Sequence, residues 1–179
     1  MKTVSVINQK GGVGKSTTAE MLISALSLKG FKVLAIDLDA QGNLSYSLAA
    51  DLTSPTILEV LTEEILAKDA IKKARADVIS SNKALAGADA FIADTGKEYR
   101  LKEALEKIAK NYDFCIIDTP PALGILTVNA LTASDSVIIP AQADIYSLQG
   151  IENLEETIKA VKKYCNPNLK IEGILLTRY

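Results

Sequence analysis

Short apolar runs alternate along the chain with segments whose apolar residues recur at helical spacing. The runs predict five strands and a short sixth, at residues 3–8, 32–37, 114–118, 136–140, 171–176 and, for the short one, 78–79. Strands that alternate with helices are typical of a parallel sheet covered on both faces. The sequence therefore predicts an α/β fold of three layers, with a mainly parallel sheet in the middle.

Helical spacing and capping signals define the segments between the strands. The first helix is expected to begin near Ser16 and to end at Gly30, which interrupts its apolar pattern. Other helices are predicted after the capping boxes Thr56–Glu59 and Thr95–Glu98, at residues 63–77 as one or two short helices, and at residues 151–161. Residues 41–97 are the least regular region and are expected to form a variable surface.

The loop after the first strand has the composition of a phosphate-binding loop. Its residues are Lys10, Gly11, Gly12, Val13, Gly14, Lys15, Ser16 and Thr17. Glycine lets the backbone turn successive N–H groups towards one anion, and the start of the following helix adds the positive end of its dipole. Lys15 is then expected to contact the outer phosphates of a nucleotide, and the Ser16 hydroxyl a magnesium ion.

The loop departs from the ordinary phosphate-loop pattern at its first position, where Gln9 replaces glycine. Lys10 adds a cation for which one bound nucleotide has no use, so it is expected to serve a second nucleotide. A dinucleotide-binding fold is the nearest alternative, because Asp37 ends the second strand where such folds place a ribose-binding acid. Thr17 excludes it, since it occupies the position of the third glycine in that fingerprint.

Carboxylates at two strand ends are the candidates to complete the site. Asp37 and Asp39 are two residues apart in an extended segment, so both are expected to face the phosphate loop. Each of them is a candidate to orient water or to hold the metal shell. Asp118 ends a buried-type strand in a Walker B arrangement. It is expected to hold a metal-bound water, because magnesium keeps several waters. The proline-rich residues 119–124 suit a loop that senses the terminal phosphate.

Three segments closely resemble the ParA/Soj family of partition ATPases: KGGVGKST at Lys10–Thr17, DLDAQGN at Asp37–Asn43 and DTPPALG at Asp118–Gly124. The resemblance covers nearly the whole chain and also includes residues 126–133, 138–142, 149–150 and 173–177. It implies a three-layer P-loop NTPase fold with a deviant Walker A loop, and ATP and Mg²⁺ as cofactors. Family members continue beyond Tyr179, so the C-terminal part of the family fold is expected to be missing.

The resemblance also implies individual roles for the site residues. In that family the lysine at the position of Lys10 crosses to the nucleotide of a second subunit, so that ATP lies between two protomers of a homodimer. The other implied roles are phosphate contact for Lys15, magnesium binding for Ser16, action on the attacking water for Asp39, and support of the metal shell for Asp37 and Asp118.

The implied function is that of an ATP-dependent dimerising switch in chromosome or plasmid partitioning, stimulated by a ParB-like partner. Slow hydrolysis is expected, because no arginine lies in or beside the three motifs to act as an arginine finger. One alternative is a phosphotransferase in which Asp37 and Asp39 position a small acceptor. The others are a MinD-like positioning ATPase, which needs a C-terminal amphipathic helix that is absent here, and a module that binds ATP without turnover.

Composition restricts the chemistry and the location. The 179 residues fit a single ATPase domain, and the absence of histidine excludes Ser-His-Asp and Cys-His catalysis. Two unpaired cysteines, Cys115 and Cys165, fit a reducing cytoplasm. The net charge of −2 and a pI near 5.3 give no strong attraction for nucleic acid. Nonspecific DNA binding and nucleoid association are therefore expected only of a full-length protein. No leader and no membrane-spanning segment are expected, so the predicted location is the cytoplasm.

Overall fold

Seven strands among the described residues form one sheet. They are β1 (Lys2–Val6), β2 (Val33–Asp37), β3 (Ile71–Lys73), β4 (Asp77–Ile79), β5 (Phe114–Asp118), β6 (Ser136–Gln142) and β7 (Lys170–Thr177). Their order is β3-β4-β2-β5-β1-β6-β7, and the strand pairs are parallel except for β3 with β4. The predicted α/β fold with a mainly parallel sheet is confirmed, and the six predicted strands lie within two residues of their expected bounds.

The computed structural model describes residues 1–92, 94–143 and 145–177, without the side chains of residues 145–150. The resemblance noted at Gln149 and Gly150 lies outside the described side chains. The α-helices are α1 (Lys15–Leu28), α2 (Asn43–Ser47), α3 (Ile57–Leu61), α4 (Ala88–Phe91), α5 (Arg100–Glu106), α6 (Ile125–Ala133) and α7 (Ile145–Tyr164). Short 3₁₀ turns occur at Ala67–Asp69, Lys83–Gly87, Lys97–Tyr99 and Ala109–Asn111.

Helices pack on both faces of the sheet because successive strand residues point to opposite sides. Leu34 and Ile36 of β2 face a core formed with α3 and α5, whereas Val33 and Ala35 face α1 on the other side. A third cluster joins β6 to the buried positions of α7, which confirms the helix predicted at residues 151–161. The sheet is thus fixed from both sides, and its carboxyl edge is left for the site.

The start of the first helix and one capping box are confirmed. Helix α1 begins at Lys15, and Gly30 follows its end with a φ of 85°. At α3, the Thr56 N–H donates to a Glu59 carboxylate oxygen at 2.8 Å, and the Thr56 hydroxyl accepts from the Leu58 N–H at 3.4 Å. This reciprocal cap starts α3 where the sequence predicts it.

Two local predictions are wrong. Residues 63–77 contain the 3₁₀ turn and then strand β3, which pairs antiparallel with β4 instead of forming a helix. Pairing with the sheet edge is a nonlocal interaction that outweighs the local helical pattern. The second predicted capping box does not form. In its place the side chain of Asn129, on α6, accepts from the Leu101 N–H at 3.0 Å and satisfies the start of α5.

Strand β7 is unusual for a parallel strand because it is exposed on both faces. Ile174, Leu175 and Leu176 are 54%, 44% and 57% exposed, and the strand lies at the edge of the sheet. A parallel strand is normally covered on both faces. The β7 edge is therefore an apolar surface in this chain. None of the helices in the described part combines the length and apolar character needed to cross a bilayer.

Candidate nucleotide-binding site

The carboxyl ends of β1, β2 and β5 meet at one edge of the sheet. Asp37 lies opposite Asp118 in the pairing of β2 with β5, and Asp118 lies opposite Val6 in the pairing of β5 with β1. The loops that follow these three strands consequently surround a single cavity of about 450 Å³. Its lining residues are Gly11, Gly12, Gly14, Lys15, Ser16, Thr17, Asp39, Gln41, Asn43 and Pro121.

The phosphate loop turns through two left-handed glycines. Gly12 has a φ of 73° and Gly14 a φ of 92°, a region in which side chains with a Cβ are strained. Val13 is buried between them with 1% of its surface exposed, so its side chain belongs to the core. Helix α1 begins immediately afterwards, and its N-terminus points the free N–H groups at the same cavity.

Lys15 is the buried cation of the site. Its side chain is 7% exposed, and its ammonium donates to the Lys10 carbonyl at 3.2 Å. Burial lowers the pKa of Lys15, while the carboxylates of Asp118 and Asp39 act in the opposite direction. An ammonium that has lost much of its water gains strongly from a phosphate, because few other partners compete for it.

Asp118 is buried without a partner that satisfies it. Neither carboxylate oxygen has a hydrogen bond of standard geometry to the described residues. Burial raises the pKa of Asp118 to about 7, and Asp37 adds to the rise, whereas the nearby Ser16 hydroxyl and Lys15 oppose it. A buried carboxylate of this kind requires a cation or an ordered water. It fits a magnesium ion held through water beside Ser16.

Asp37 already has its partners within the chain. One oxygen accepts from the Asp39 N–H at 3.0 Å, and the other accepts from the Ser45 N–H at 2.8 Å and the Ser45 hydroxyl at 2.7 Å. Burial raises the pKa of Asp37, and these hydrogen bonds oppose the rise. Its oxygens therefore hold the turn that carries Asp39, and the support of a metal shell by Asp37 stays a prediction.

Asp39 and Lys10 are both half-buried, and Asp39 lines the cavity. An Asp39 carboxylate oxygen accepts from the Gln41 N–H at 3.0 Å, which orients the side chain next to the phosphate loop. The Lys10 N–H donates to the Asn8 side chain at 2.9 Å. Of the predicted site residues, the cavity is lined by Gly11, Gly12, Gly14, Lys15, Ser16, Thr17 and Asp39. Lys10 lies next to this lining in the chain, and Val13, Asp37 and Asp118 are buried outside it.

No group of three or more His, Cys, Asp or Glu side chains in the described part of the chain is arranged to hold a metal ion. Magnesium does not need one, because it usually takes one or two protein oxygens and completes its shell with water and phosphate. The Ser16 hydroxyl and the Asp118 carboxylate provide that kind of donor set. The residues present therefore fit a nucleotide that brings magnesium with it.

Four polar residues that support the site were not identified from the sequence as functional. The Asn8 amide donates to the Pro140 carbonyl at 2.6 Å, and the Ser45 hydroxyl accepts from the Ser81 N–H at 3.1 Å. Gln142 and Thr177 donate to carbonyls of the phosphate loop. The resemblance includes the segments that contain these last two, but nothing in the sequence indicated which of their side chains reach the loop.

Comparison with known proteins finds relatives that match nearly the whole chain. Residues 1–171 match the family model described as an AAA domain. The chain is 44% identical to the sporulation initiation inhibitor protein Soj of Bacillus subtilis, over 98% of this chain and 72% of that protein. It is 42% identical to the chromosome partitioning protein ParA of Caulobacter vibrioides, over 100% of this chain and 70% of that protein.

Solved structures resemble the fold equally well. A cobyrinic acid a,c-diamide synthase from Mycobacterium smegmatis with bound ADP and magnesium superposes with a TM-score of 0.96 at 39% identity, over 100% of this chain and 75% of that one. An ATP complex of a McdA variant from Cyanothece superposes with a TM-score of 0.91 at 30% identity, over 97% of this chain and 69% of that one. Both of these structures contain a bound adenine nucleotide.

Proposed function

Because the chain belongs to the ParA/Soj family of partition ATPases, we propose that it acts as an ATP-dependent dimerising switch in chromosome or plasmid partitioning. The observation that supports the ATPase part most directly is the unsatisfied Asp118 carboxylate beside Ser16, at the foot of a cavity that also contains the buried ammonium of Lys15. ATP and Mg²⁺ are the cofactors. Residues 1–179 form one ATPase domain in this proposal.

The reaction is magnesium-dependent hydrolysis of ATP to ADP and phosphate. The loop N–H groups and Lys15 would bind the outer phosphates, and Ser16 and Asp118 would hold the metal, Asp118 through a bound water. When bound, magnesium would supply positive charge that neutralises the charge developing on the phosphate oxygens. Asp39 orients the attacking water, whose oxygen bonds to the terminal phosphorus as the bond to the ADP oxygen breaks, and the protons of the water leave with the phosphate product or pass to solvent. Asp37 holds Asp39 in place through its backbone N–H.

The dimer is proposed to form around the nucleotide. A triphosphate buried between two subunits needs compensating cations, and Lys15 of one protomer with Lys10 of the other provides two for each site. Loss of the terminal phosphate removes part of this attraction, so hydrolysis shifts the equilibrium towards separate protomers. The chain has no arginine in its three motifs, and a ParB-like partner is proposed to accelerate an otherwise slow reaction.

The proposed location is the cytoplasm, with nonspecific DNA binding and nucleoid association in a full-length protein. The acidic net charge of the chain gives it no general attraction for DNA, so such binding needs a local basic surface.

Lysine variants test the division of labour between the two cations. Lys15→Ala is expected to abolish binding of Mg-ATP in isothermal titration. Lys10→Ala is expected to retain binding but to lose ATP-dependent dimerisation, measured by light scattering in the Asp39→Ala background, in which hydrolysis is slowed. Lys68→Ala, an exposed lysine on the turn at residues 67–69, is the matched control and should change neither.

Two outcomes would contradict the proposal. Equal losses of binding and dimerisation in both variants would mean that Lys10 has no separate role across an interface. A persistent monomer of the Asp39→Ala protein with saturating ATP and magnesium would exclude the dimerising switch and favour the phosphotransferase. Chelation of magnesium in the wild-type protein should stop the release of phosphate.

A further inference from the structure

We infer that Gln142 and Thr177 are positioning residues of the nucleotide site, which orient two peptide groups of the phosphate loop. Gln142 ends β6 and Thr177 ends β7, and the two residues are direct cross-strand partners. One pair at the sheet edge thus supplies two hydrogen-bond donors to successive carbonyls of the loop. The inference rests on the nucleotide-binding part of the proposed function.

The contacts are specific to the loop backbone. The Gln142 amide nitrogen donates to the Gly12 carbonyl at 3.2 Å. The Thr177 hydroxyl lies 2.9 Å from the Val13 carbonyl and 3.3 Å from the Ala141 carbonyl, so its single proton is directed mainly at Val13. The Thr177 methyl group would lie 3.7 Å from a Cβ at Gly14, so this side chain also packs against the end of the loop.

A trans peptide group points its carbonyl and its N–H in opposite directions. When Gln142 holds the Gly12 carbonyl, the Val13 N–H of the same peptide group points away from Gln142. When Thr177 holds the Val13 carbonyl, the Gly14 N–H likewise points away from β7. These two N–H groups are then turned to the cavity side of the loop, where phosphate oxygens accept them.

The loop needs such restraint because both peptide groups adjoin a left-handed glycine. Glycine changes its backbone conformation at little steric cost, so on the side of Gly12 or Gly14 no Cβ opposes a flip of the peptide group, and only Val13 resists it from the other side. A flip would turn a carbonyl oxygen towards the phosphates in place of an N–H. Donors from β6 and β7 oppose that flip before the nucleotide arrives, which lowers the ordering cost of binding.

Isosteric removal of each donor tests the inference. Thr177→Val removes the hydroxyl and Gln142→Met the amide, and Thr177→Ser keeps the hydroxyl. Thr62→Val is the control, because the Thr62 hydroxyl is also a hydrogen-bond donor, to the Glu64 carboxylate at 2.9 Å or the Leu58 carbonyl at 3.2 Å, and lies far along the chain from the loop. The affinity for the slowly hydrolysed analogue ATPγS with magnesium is measured by isothermal titration, and the melting temperature is measured without nucleotide.

Thr177→Val and Gln142→Met are each expected to weaken ATPγS binding about five- to tenfold, the effect of one lost hydrogen bond. Thr177→Ser and Thr62→Val should stay within about twofold of the wild type. Thr177→Val and Thr62→Val should lower the melting temperature by similar amounts, because both lose one hydroxyl donor. Affinity then separates a loop-orienting role from a merely structural one.

Unchanged affinity in both Thr177→Val and Gln142→Met would overturn the inference and leave the proposed function intact. An equal loss of affinity in Thr62→Val would also overturn it, since the effect would then follow general stability. The proposed function fails independently if the wild-type chain binds ATPγS but neither dimerises nor releases phosphate from ATP. Gln142→Met reports on the inference even if the Thr177→Val protein does not fold.

Discussion

Replacement of Asp118 by asparagine is expected to stabilise the nucleotide-free protein at alkaline pH. Burial raises the pKa of Asp118 to about 7, whereas its ordinary value is 3.8. The folded protein therefore holds a proton that the unfolded chain releases between these values. The stability linked to this proton is present in full below the ordinary pKa, and it is lost as the pH rises through 7. The amide of the Asp118→Asn variant carries no charge at any pH, so that protein would not show this loss.

The size of the effect follows from the shift. Between pH 5 and pH 8 the wild type should lose about 2.5 kcal/mol of unfolding free energy relative to Asp118→Asn. The loss is about 1.4 kcal/mol for each pH unit over which Asp118 is protonated in the folded state but ionised in the unfolded state. At pH 5 the neutral acid and the amide are similar in shape and charge, so the two proteins should differ least there. Magnesium with ATP should reverse the order at pH 8, because the wild-type carboxylate gains its cation.

Urea denaturation followed by circular dichroism at pH 5, 6, 7 and 8 measures both proteins on the same scale. Asp69→Asn is the control, because Asp69 is exposed and lies in the 3₁₀ turn far along the chain from the loop. Its stability should differ little from that of the wild type. A difference between Asp118→Asn and the wild type that stays constant from pH 5 to pH 8 would refute the argument that a buried, unsatisfied charge opposes folding.

Three further predictions concern stability and thiol reactivity. Ser45→Ala should lower the unfolding free energy by about 2–3 kcal/mol in urea titrations, because Asp37 loses a charged hydrogen bond and the buried Ser81 N–H loses its acceptor; a loss below about 0.5 kcal/mol would contradict this role. Burial acts to raise the pKa of Glu59, but hydrogen bonds from Ser54 and Thr56 outweigh it and hold that pKa at about 2. The Glu59 carboxylate therefore stabilises the folded protein in full above pH 4.5, and this stabilisation is lost as the pH falls towards 2. Stability curves of Glu59→Gln and the wild type should therefore converge in acid, and a gap that persists at pH 2 would argue against this carboxylate. Burial raises the pKa of Cys115, whereas Cys165 is half-buried, so a thiol reagent should label one cysteine rapidly in the native protein and both in denaturant. Rapid labelling of both in the native protein would contradict the burial of β5.

Most of the fold was predictable because its signals are local. A buried strand such as β5 appears as a short apolar run that ends in a polar residue, and a helix such as α3 begins at a capping box within four residues. β3 has no comparable signal, since three residues at an edge acquire their structure only by pairing with β4. The cap of α5 was missed for the same reason, because Asn129 reaches it from a different helix.

The candidate site likewise contains residues that could be predicted from the sequence and residues that could not. The phosphate loop was predictable because its glycines, lysine and hydroxyl are contiguous and each has a chemical reason to be there. Ser45 is eight residues from Asp37, and Thr177 is 164 residues from Val13, so their contacts exist only once the sheet has formed. The sequence therefore predicts which atoms meet the nucleotide better than it predicts which residues hold those atoms still.

The outer edge of β7, which pairs with no other described strand, affects measurements of molecular mass by light scattering. An unpaired strand edge accepts a strand from another molecule, and apolar side chains on both faces strengthen that association. Aggregation by this route depends on protein concentration and is indifferent to ATP. Light-scattering experiments on the chain should therefore be run at the same protein concentration with and without ATP. Only the increase in mass that ATP causes reports dimerisation around the nucleotide.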